Sequence, residues 1–140
     1  MIAADTNVLL RYLLRDDDTQ AERARAVFQD GDRVLLTDVV LVESVWTLLG
    51  RRYRMARSDV IVLIGSLLQE PNIRFEDEDV IFSALQAFRK TDADFADALI
   101  VYKTLKVASG EREVPVVYTF DADALQLPHT AQPRAFPKST

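Results

Sequence analysis

The sequence predicts an α/β domain in which a mostly parallel sheet carries helices on both faces. Short apolar runs alternate with amphipathic segments along the whole chain, and no internal repeat or linker divides it. Of its 140 residues, 49% are apolar and 28% are charged, which is close to the average of globular proteins. We therefore expect a single domain over residues 1–140, with a polar, proline-containing tail from about residue 128.

Two strands and four helices are predicted in the first half of the chain. Their limits follow from apolar spacing, from capping residues and from Gly31, Gly50 and Pro71, which are typical of helix ends. The predicted strands are 1–5 and 34–36, and the predicted helices are 7–14, 20–29 (capped by Asp18 or Thr19), 39–49 and one capped by Ser58 that ends near Glu70. The acidic run Asp16-Asp17-Asp18 is interpreted as a solvated loop that ends the first helix.

In the second half the same alternation continues. Helix 77–90 begins with acidic residues and ends with Arg89-Lys90, as the helix dipole favours. The predicted elements are a strand at 73–75, the helix at 77–90, a helix at 94–108 ended by Ser109-Gly110, and a strand at 114–120. The last strand is the most strongly predicted one, and Pro115 suits its beginning. The tail after Pro128 is expected to be either a weak edge strand or irregular.

Composition excludes several classes of protein. Without cysteine, the chain has neither disulfides nor a thiolate metal site. No apolar run approaches the roughly 18 residues that span a bilayer, and the N-terminus does not resemble a signal peptide, so we expect a cytoplasmic protein without membrane contact. The net charge of −5 argues against broad nucleic-acid binding, unless the acidic residues cluster around a cation.

Carboxylates mark the ends of the predicted strands and the beginnings of the helices that follow them, where open parallel sheets bind ligands. The acidic candidates are Asp5, Glu43, Asp94, Asp97, Asp121 and Asp123, and Asn7 and Thr119 accompany them. No glycine-rich loop suited to phosphate is present, which disfavours nucleotide-binding folds. The one histidine, His129, lies in the tail and is not expected to act as a catalytic base or a metal ligand.

Clustered carboxylates require a counter-charge. Two of them at about 4 Å repel by about 4 kcal/mol at an effective dielectric constant near 20. A retained proton or a bound hard cation removes this repulsion. Mg²⁺ and Mn²⁺ prefer oxygen ligands and leave room for a substrate phosphate. Such a cation activates water and stabilises a departing oxygen, which suits hydrolysis of a phosphodiester.

Four motifs resemble those of the PIN-domain nucleases, in the same order. They cover roughly residues 1–125 and are Asp5-Thr6-Asn7, Val42-Glu43, Asp97-Ala98-Leu99-Ile100 and Thr119-Phe120-Asp121. Within that family, the chain length and the Asp-Thr-Asn opening look most like the VapC-type toxins of bacterial toxin–antitoxin pairs. Each motif alone is weak, whereas the four together are fairly specific.

The resemblance implies a three-layer α/β/α sandwich with Mg²⁺- or Mn²⁺-dependent endoribonuclease activity on RNA. It also implies a cognate antitoxin protein that blocks the acidic pocket, and a homodimer. Asp5 and Asp97 would be the main metal ligands, and Glu43 and Asp121 would complete the catalytic quartet. Asn7 and Thr119 would orient ligands or water. Asp94, one helical turn before Asp97, is an additional carboxylate for the same pocket.

Structural roles compete with these assignments. Asp5 and Asp94 each suit the N-cap of a helix. Glu43 lies in an apolar stretch, where a lone buried glutamate is costly unless it is paired or bound to metal, which favours the site. Trp46, one turn further on, could stack on a base, but core packing is favoured.

Basic residues have two open interpretations. One interpretation of the run Arg51, Arg52, Arg54 and Arg57 is a contact with RNA phosphate or with an antitoxin. The other is a solvated turn. Arg11 and Arg15 either touch substrate or lie on the surface.

Two other functions remain open. A phospho-acceptor receiver module also places acids at strand ends, but it needs paired acids after the first strand and a lysine after the last. A PIN-like scaffold that binds RNA or a partner without catalysis would keep the fold and lose turnover.

Overall fold

The structure is a computed structural model that describes residues 1–15 and 19–134, and it confirms the predicted α/β fold with parallel strands. The run Asp16-Asp17-Asp18 and the end of the tail lie outside the described residues. Two compact units make up the chain, Met1–Phe82 and Ser83–Thr140. A single domain over residues 1–140 stays a prediction.

The first unit contains a three-stranded parallel sheet in the order β1-β2-β3. Its strands are β1 (Ile2–Ala3), β2 (Val34–Leu36) and β3 (Ile73–Phe75). Its helices are α1 (Thr6–Leu14), α2 (Thr19–Gln29), α3 (Asp38–Leu49) and α4 (Arg57–Leu67). Val34 lies opposite both Ile2 and Ile73 in the register, so β2 is the central strand, and its residues Val34 and Leu36 are buried.

The core of the first unit forms where α1 packs against α2 and α3, and α3 packs against α4. Leu9, Leu41 and Ile64 are fully buried there. Tyr12 stacks on Phe28 with ring centroids 4.2 Å apart, and its hydroxyl donates to both carboxylate oxygens of Glu70 at 2.9 Å. Burial and then the Glu70 carboxylate raise the pKa of Tyr12 to about 12.

The predicted limits of α4 are wrong at both ends. Ala56 occupies the N-cap, and Ser58 lies inside the first turn. The helix ends at Leu67, because the next residues form tighter turns in which the N–H groups of Leu68 and Gln69 bond to carbonyls three residues back.

The second unit contains one end of α5 (Glu78–Lys90), which crosses the unit boundary, and all of α6 (Phe95–Val107). A two-stranded parallel sheet follows, made of β4 (Val117–Tyr118) and β5 (Thr130–Ala131), with a short 3₁₀ turn between them. Phe88 and Phe95 pack edge to face in its core, with centroids 5.9 Å apart. None of the described helices has the length and apolar character needed to cross a membrane.

The strand predicted at 114–120 is much shorter than expected. Only Val117 and Tyr118 are in β4, held by bonds from the Val117 N–H to the His129 carbonyl and from the Thr119 N–H to the Ala131 carbonyl. Pro115 has no N–H to donate, and β5 offers only two residues for pairing. Of the two predictions for the tail, the weak strand is confirmed at Thr130–Ala131.

Candidate metal centre

Asp97 is placed by the first turn of α6 and is half-buried. It lines a cavity of about 80 Å³ together with Ile100, Tyr118 and Thr119, all in the second unit. Burial raises the pKa of Asp97, and the neighbouring charges of Asp94 and Asp121 raise it further. The fold therefore brings three predicted acidic residues of the second unit into electrostatic contact.

Asp94 occupies the N-cap position of α6, as its structural interpretation predicted. Its side chain, however, makes no capping hydrogen bond to the first turn of the helix. Capping thus does not account for an acidic residue at this position. The one-turn spacing from Asp97 explains why the Asp94 charge raises the pKa of that residue.

Asp121 follows β4 and is held by local hydrogen bonds. Its backbone N–H donates to the Thr119 hydroxyl at 3.0 Å. Its Oδ1 accepts the N–H groups of Asp123 and Ala124, at 2.8 and 3.1 Å. The bonds to Oδ1 fix the orientation of the carboxylate. Thr119 does not contact the carboxylate in these bonds; its hydroxyl holds the backbone of Asp121.

Asp5 is the N-cap of α1 in the first unit, so this structural prediction is confirmed. Its Oδ1 accepts the Val8 N–H at 2.9 Å, and the side chain is exposed. The cap engages Oδ1 in one hydrogen bond, which leaves the exposed carboxylate able to bind a cation as well. Asn7, in the first turn of α1, is also exposed.

The expectation that Glu43 is buried is wrong. α3 turns Leu41, Val45 and Leu48 into the core and leaves Glu43 exposed on its other side. Trp46 is 53% exposed, so the prediction that it packs in the core is wrong as well. The Glu43 carboxylate is therefore not desolvated by burial, and only the resemblance supports it as a metal ligand.

Three residues of the basic run, Arg51, Arg52 and Arg54, are exposed in the loop between α3 and α4, whereas Arg57 begins α4 and is half-buried. The Arg52 guanidinium lies 5.2 Å from the centre of the Tyr53 ring. Arg54 adopts a left-handed conformation with φ of 45°. His129, also exposed, has φ of 60° and pairs with β4 only through its backbone.

Sequence reasoning missed a cavity of about 300 Å³ between α1 and α2 in the first unit. Arg11, a candidate for substrate contact, lines it together with Gln20 and Arg23, which were not predicted. The three-residue spacing of Gln20 and Arg23 places them on one face of α2, but it does not reveal which face meets α1.

A divalent cation fits the chemistry of these side chains. Carboxylate, carboxamide and hydroxyl oxygens are hard donors, and a cation beside Asp97 would offset the like charges of Asp94 and Asp121. Within either unit, the described residues contain no group of three or more Asp, Glu or His side chains arranged to hold a metal ion.

One family model matches the chain. It describes the PIN domain, whose members are in general metal-dependent nucleases, and the match spans residues 2–129. A comparison with curated proteins found no match. The matched segment contains all four predicted motifs and most of the 140 residues. The chain therefore belongs to the PIN domain family.

Proposed function

We propose that this PIN domain is an endoribonuclease that uses Mg²⁺ or Mn²⁺ to hydrolyse RNA phosphodiester bonds, and that it is the VapC-like toxin of a toxin–antitoxin pair. The observation that carries the proposal is the crowding of like charges at Asp97. Crowded carboxylates are unfavourable unless a proton or a cation is bound, and a nuclease of this family needs a cation.

Asp5, Glu43, Asp97 and Asp121 are the proposed ligands, with Asp94 as an additional charge. When bound, the cation would activate water and stabilise negative charge on the phosphate. The chain contributes carboxylates whose orientation is set in advance. Asp5 is fixed by the Val8 N–H and Asp121 by the Ala124 N–H, and both use Oδ1. A ligand held in this way loses little conformational freedom on binding.

Asp97 also couples cation binding to proton release. Its raised pKa means that it retains a proton to higher pH than an ordinary aspartate. A ligand must be deprotonated, so cation binding is expected to release this proton and to weaken as the pH falls.

The proposed partners follow from the toxin assignment. They are an RNA substrate, a cognate antitoxin and a second copy of the chain. The exposed Val39 and Trp46 on α3 support a protein contact, because a partner would remove these large apolar side chains from water.

The test is cleavage of total cellular RNA by the purified, antitoxin-free chain, with mapping of the new RNA ends. Mg²⁺ and Mn²⁺ are compared with excess EDTA, and the wild type with Asp97→Ala. Asp79→Ala is the matched control, because Asp79 is likewise in a first helical turn but is exposed on α5. We expect cleavage that requires the cation and Asp97 and that survives in the control.

Cleavage in EDTA or in Asp97→Ala would overturn the mechanism. Cleavage of single-stranded DNA but not of RNA would overturn the substrate assignment. Binding of RNA without turnover would favour a non-catalytic scaffold. If the chain is a toxin, its expression in a bacterial host slows growth, and the Asp97→Ala variant does not.

A further inference from the structure

The cavity between α1 and α2 has a basic lining, although the chain as a whole is acidic. Its polar residues are Asn7, Arg11, Gln20 and Arg23, and the side chains of Val8 and Val27 add apolar surface. The two guanidiniums are the only charged groups in the described lining, whereas the whole chain carries a net charge of −5. This local positive charge favours an anionic ligand.

Helix geometry explains how these side chains converge. On α1, Asn7 and Arg11 are four residues apart and share one face. On α2, Gln20, Arg23 and Val27 follow the same three- and four-residue spacing. Each helix turns a single stripe toward the cavity, which places one guanidinium on each wall.

The donors in this lining match a nucleotide. Guanidiniums bind phosphate through paired N–H groups, and carboxamides pair with the edges of bases. Apolar surface beside them accommodates the face of a base, and single-stranded RNA exposes both its phosphates and its base edges. A volume of about 300 Å³ is at the lower limit for small-molecule sites.

The cavity begins beside Asp5, one of the two proposed metal ligands of the first unit. Asp5 caps α1 by accepting the N–H of Val8, and Val8 is itself part of the lining. A nucleotide in the cavity would therefore lie along α1 from the carboxylate of Asp5.

We propose that this cavity is a subsite for one nucleotide of single-stranded RNA, whose phosphate is held by Arg11 and Arg23 and whose base is contacted by Asn7 and Gln20. The inference rests on the proposed ribonuclease function, since it assigns the place of a nucleotide that flanks the cleaved bond. Arg11 and Arg23 are binding residues and take no part in the chemistry.

The experiment measures binding of a 5′-fluorescein-labelled RNA decamer by fluorescence anisotropy, in EDTA to prevent cleavage, at several salt concentrations. Arg11→Gln and Arg23→Gln are compared with Arg25→Gln. The control removes the same charge from the same helix, but Arg25 pairs with Glu22 and does not line the cavity. Circular dichroism verifies folding, and Arg23, being exposed, provides a usable variant even if Arg11→Gln does not fold.

Each of the two variants is expected to bind RNA about tenfold more weakly than the wild type, as loss of a hydrogen bond to a charged group predicts. Each substitution should also make the dependence of RNA binding on salt weaker. The slope of the logarithm of the association constant against the logarithm of the salt concentration should decrease in magnitude by about 0.7, which corresponds to one phosphate contact on a single strand. The control should change neither quantity.

Cleavage in Mg²⁺ separates this inference from the proposed function. If the wild type cleaves RNA while both variants bind RNA as it does, the subsite is wrong and the ribonuclease stands. If the wild type binds RNA through Arg11 and Arg23 but never cleaves, the ribonuclease is wrong and the subsite stands. If the cavity arginines are needed for a glutamate-rich peptide but not for RNA, the nucleotide assignment is overturned in favour of a protein ligand.

Discussion

Asp5 combines a structural and a proposed chemical role, and two substitutions separate them. Its Oδ1 caps α1 by accepting the Val8 N–H at 2.9 Å. Asp5→Ala removes both the cap and the charge. Asp5→Asn keeps an oxygen for the cap and removes only the charge, because Asn and Asp are equally good N-cap residues.

The expected cost of losing this cap is about 1 kcal/mol of unfolding free energy. Unfolding entropy near 60 °C is about 2.1 cal/mol/K per residue, so in a chain of 140 residues this cost lowers Tm by about 3 °C. Asp5→Asn loses only the smaller interaction of the charge with the helix dipole, and its Tm without metal should stay close to that of the wild type.

Thermal unfolding followed by circular dichroism, with and without Mg²⁺, measures both roles in one series, and single-turnover RNA cleavage accompanies it. Mg²⁺ should raise the Tm of the wild type, since it binds the folded state. It should raise the Tm of neither variant, and both should cleave at least about 100-fold more slowly. An Asn variant that keeps the Mg²⁺ stabilisation and the cleavage rate would refute the metal role and leave Asp5 as a cap alone.

Two further predictions follow from the pKa shifts. Asp97→Asn should stabilise the metal-free protein at neutral pH in urea unfolding, because the raised pKa of Asp97 means that its ionised form opposes folding. This gain should shrink as the pH falls through the raised pKa of Asp97 toward the ordinary aspartate pKa of about 4, below which Asp97 becomes protonated in both the folded and the unfolded state. A gain that is independent of pH would contradict the explanation. Tyr12→Phe should lower the unfolding free energy by about 1–3 kcal/mol at neutral pH, because it removes a hydroxyl bonded to a carboxylate. Since the pKa of Tyr12 is raised to about 12, its contribution is complete below about pH 10 and is lost as the pH rises toward 12. The unfolding free energy, measured with urea between about pH 10 and 12, should therefore fall more steeply with pH in the wild type than in the Phe variant. Parallel curves would contradict the prediction.

Local sequence patterns predicted the sheet of the first unit well. β2 and β3 occupy the residues that were predicted, because each is a short apolar run between polar residues and turn residues. The electrostatic contact between Asp94 and Asp97 was also predictable, since helical spacing alone places the two on one face.

The errors arise where local pattern carries no information about tertiary contacts. α3 is apolar on nearly all sides, so its sequence does not indicate which face is buried, and this led to the wrong expectation for Glu43 and Trp46. The cavity lined by Arg11 and Arg23 depends on how two helices pack, which neither helix sequence fixes alone. In β4, the missing N–H of Pro115 and the short partner strand outweighed a strongly apolar run.

The proposed mechanism requires that Asp5, Glu43, Asp97 and Asp121 each bind the divalent cation. Titration with Mn²⁺, with the free ion measured by electron paramagnetic resonance, tests it directly on the wild type and on the four variants Asp5→Asn, Glu43→Gln, Asp97→Asn and Asp121→Asn. Each variant keeps the shape of the side chain and removes its charge. We expect saturable Mn²⁺ binding by the wild type and at least about tenfold weaker binding by every variant. Binding by the wild type that Asp5→Asn and Asp97→Asn leave unchanged would contradict it.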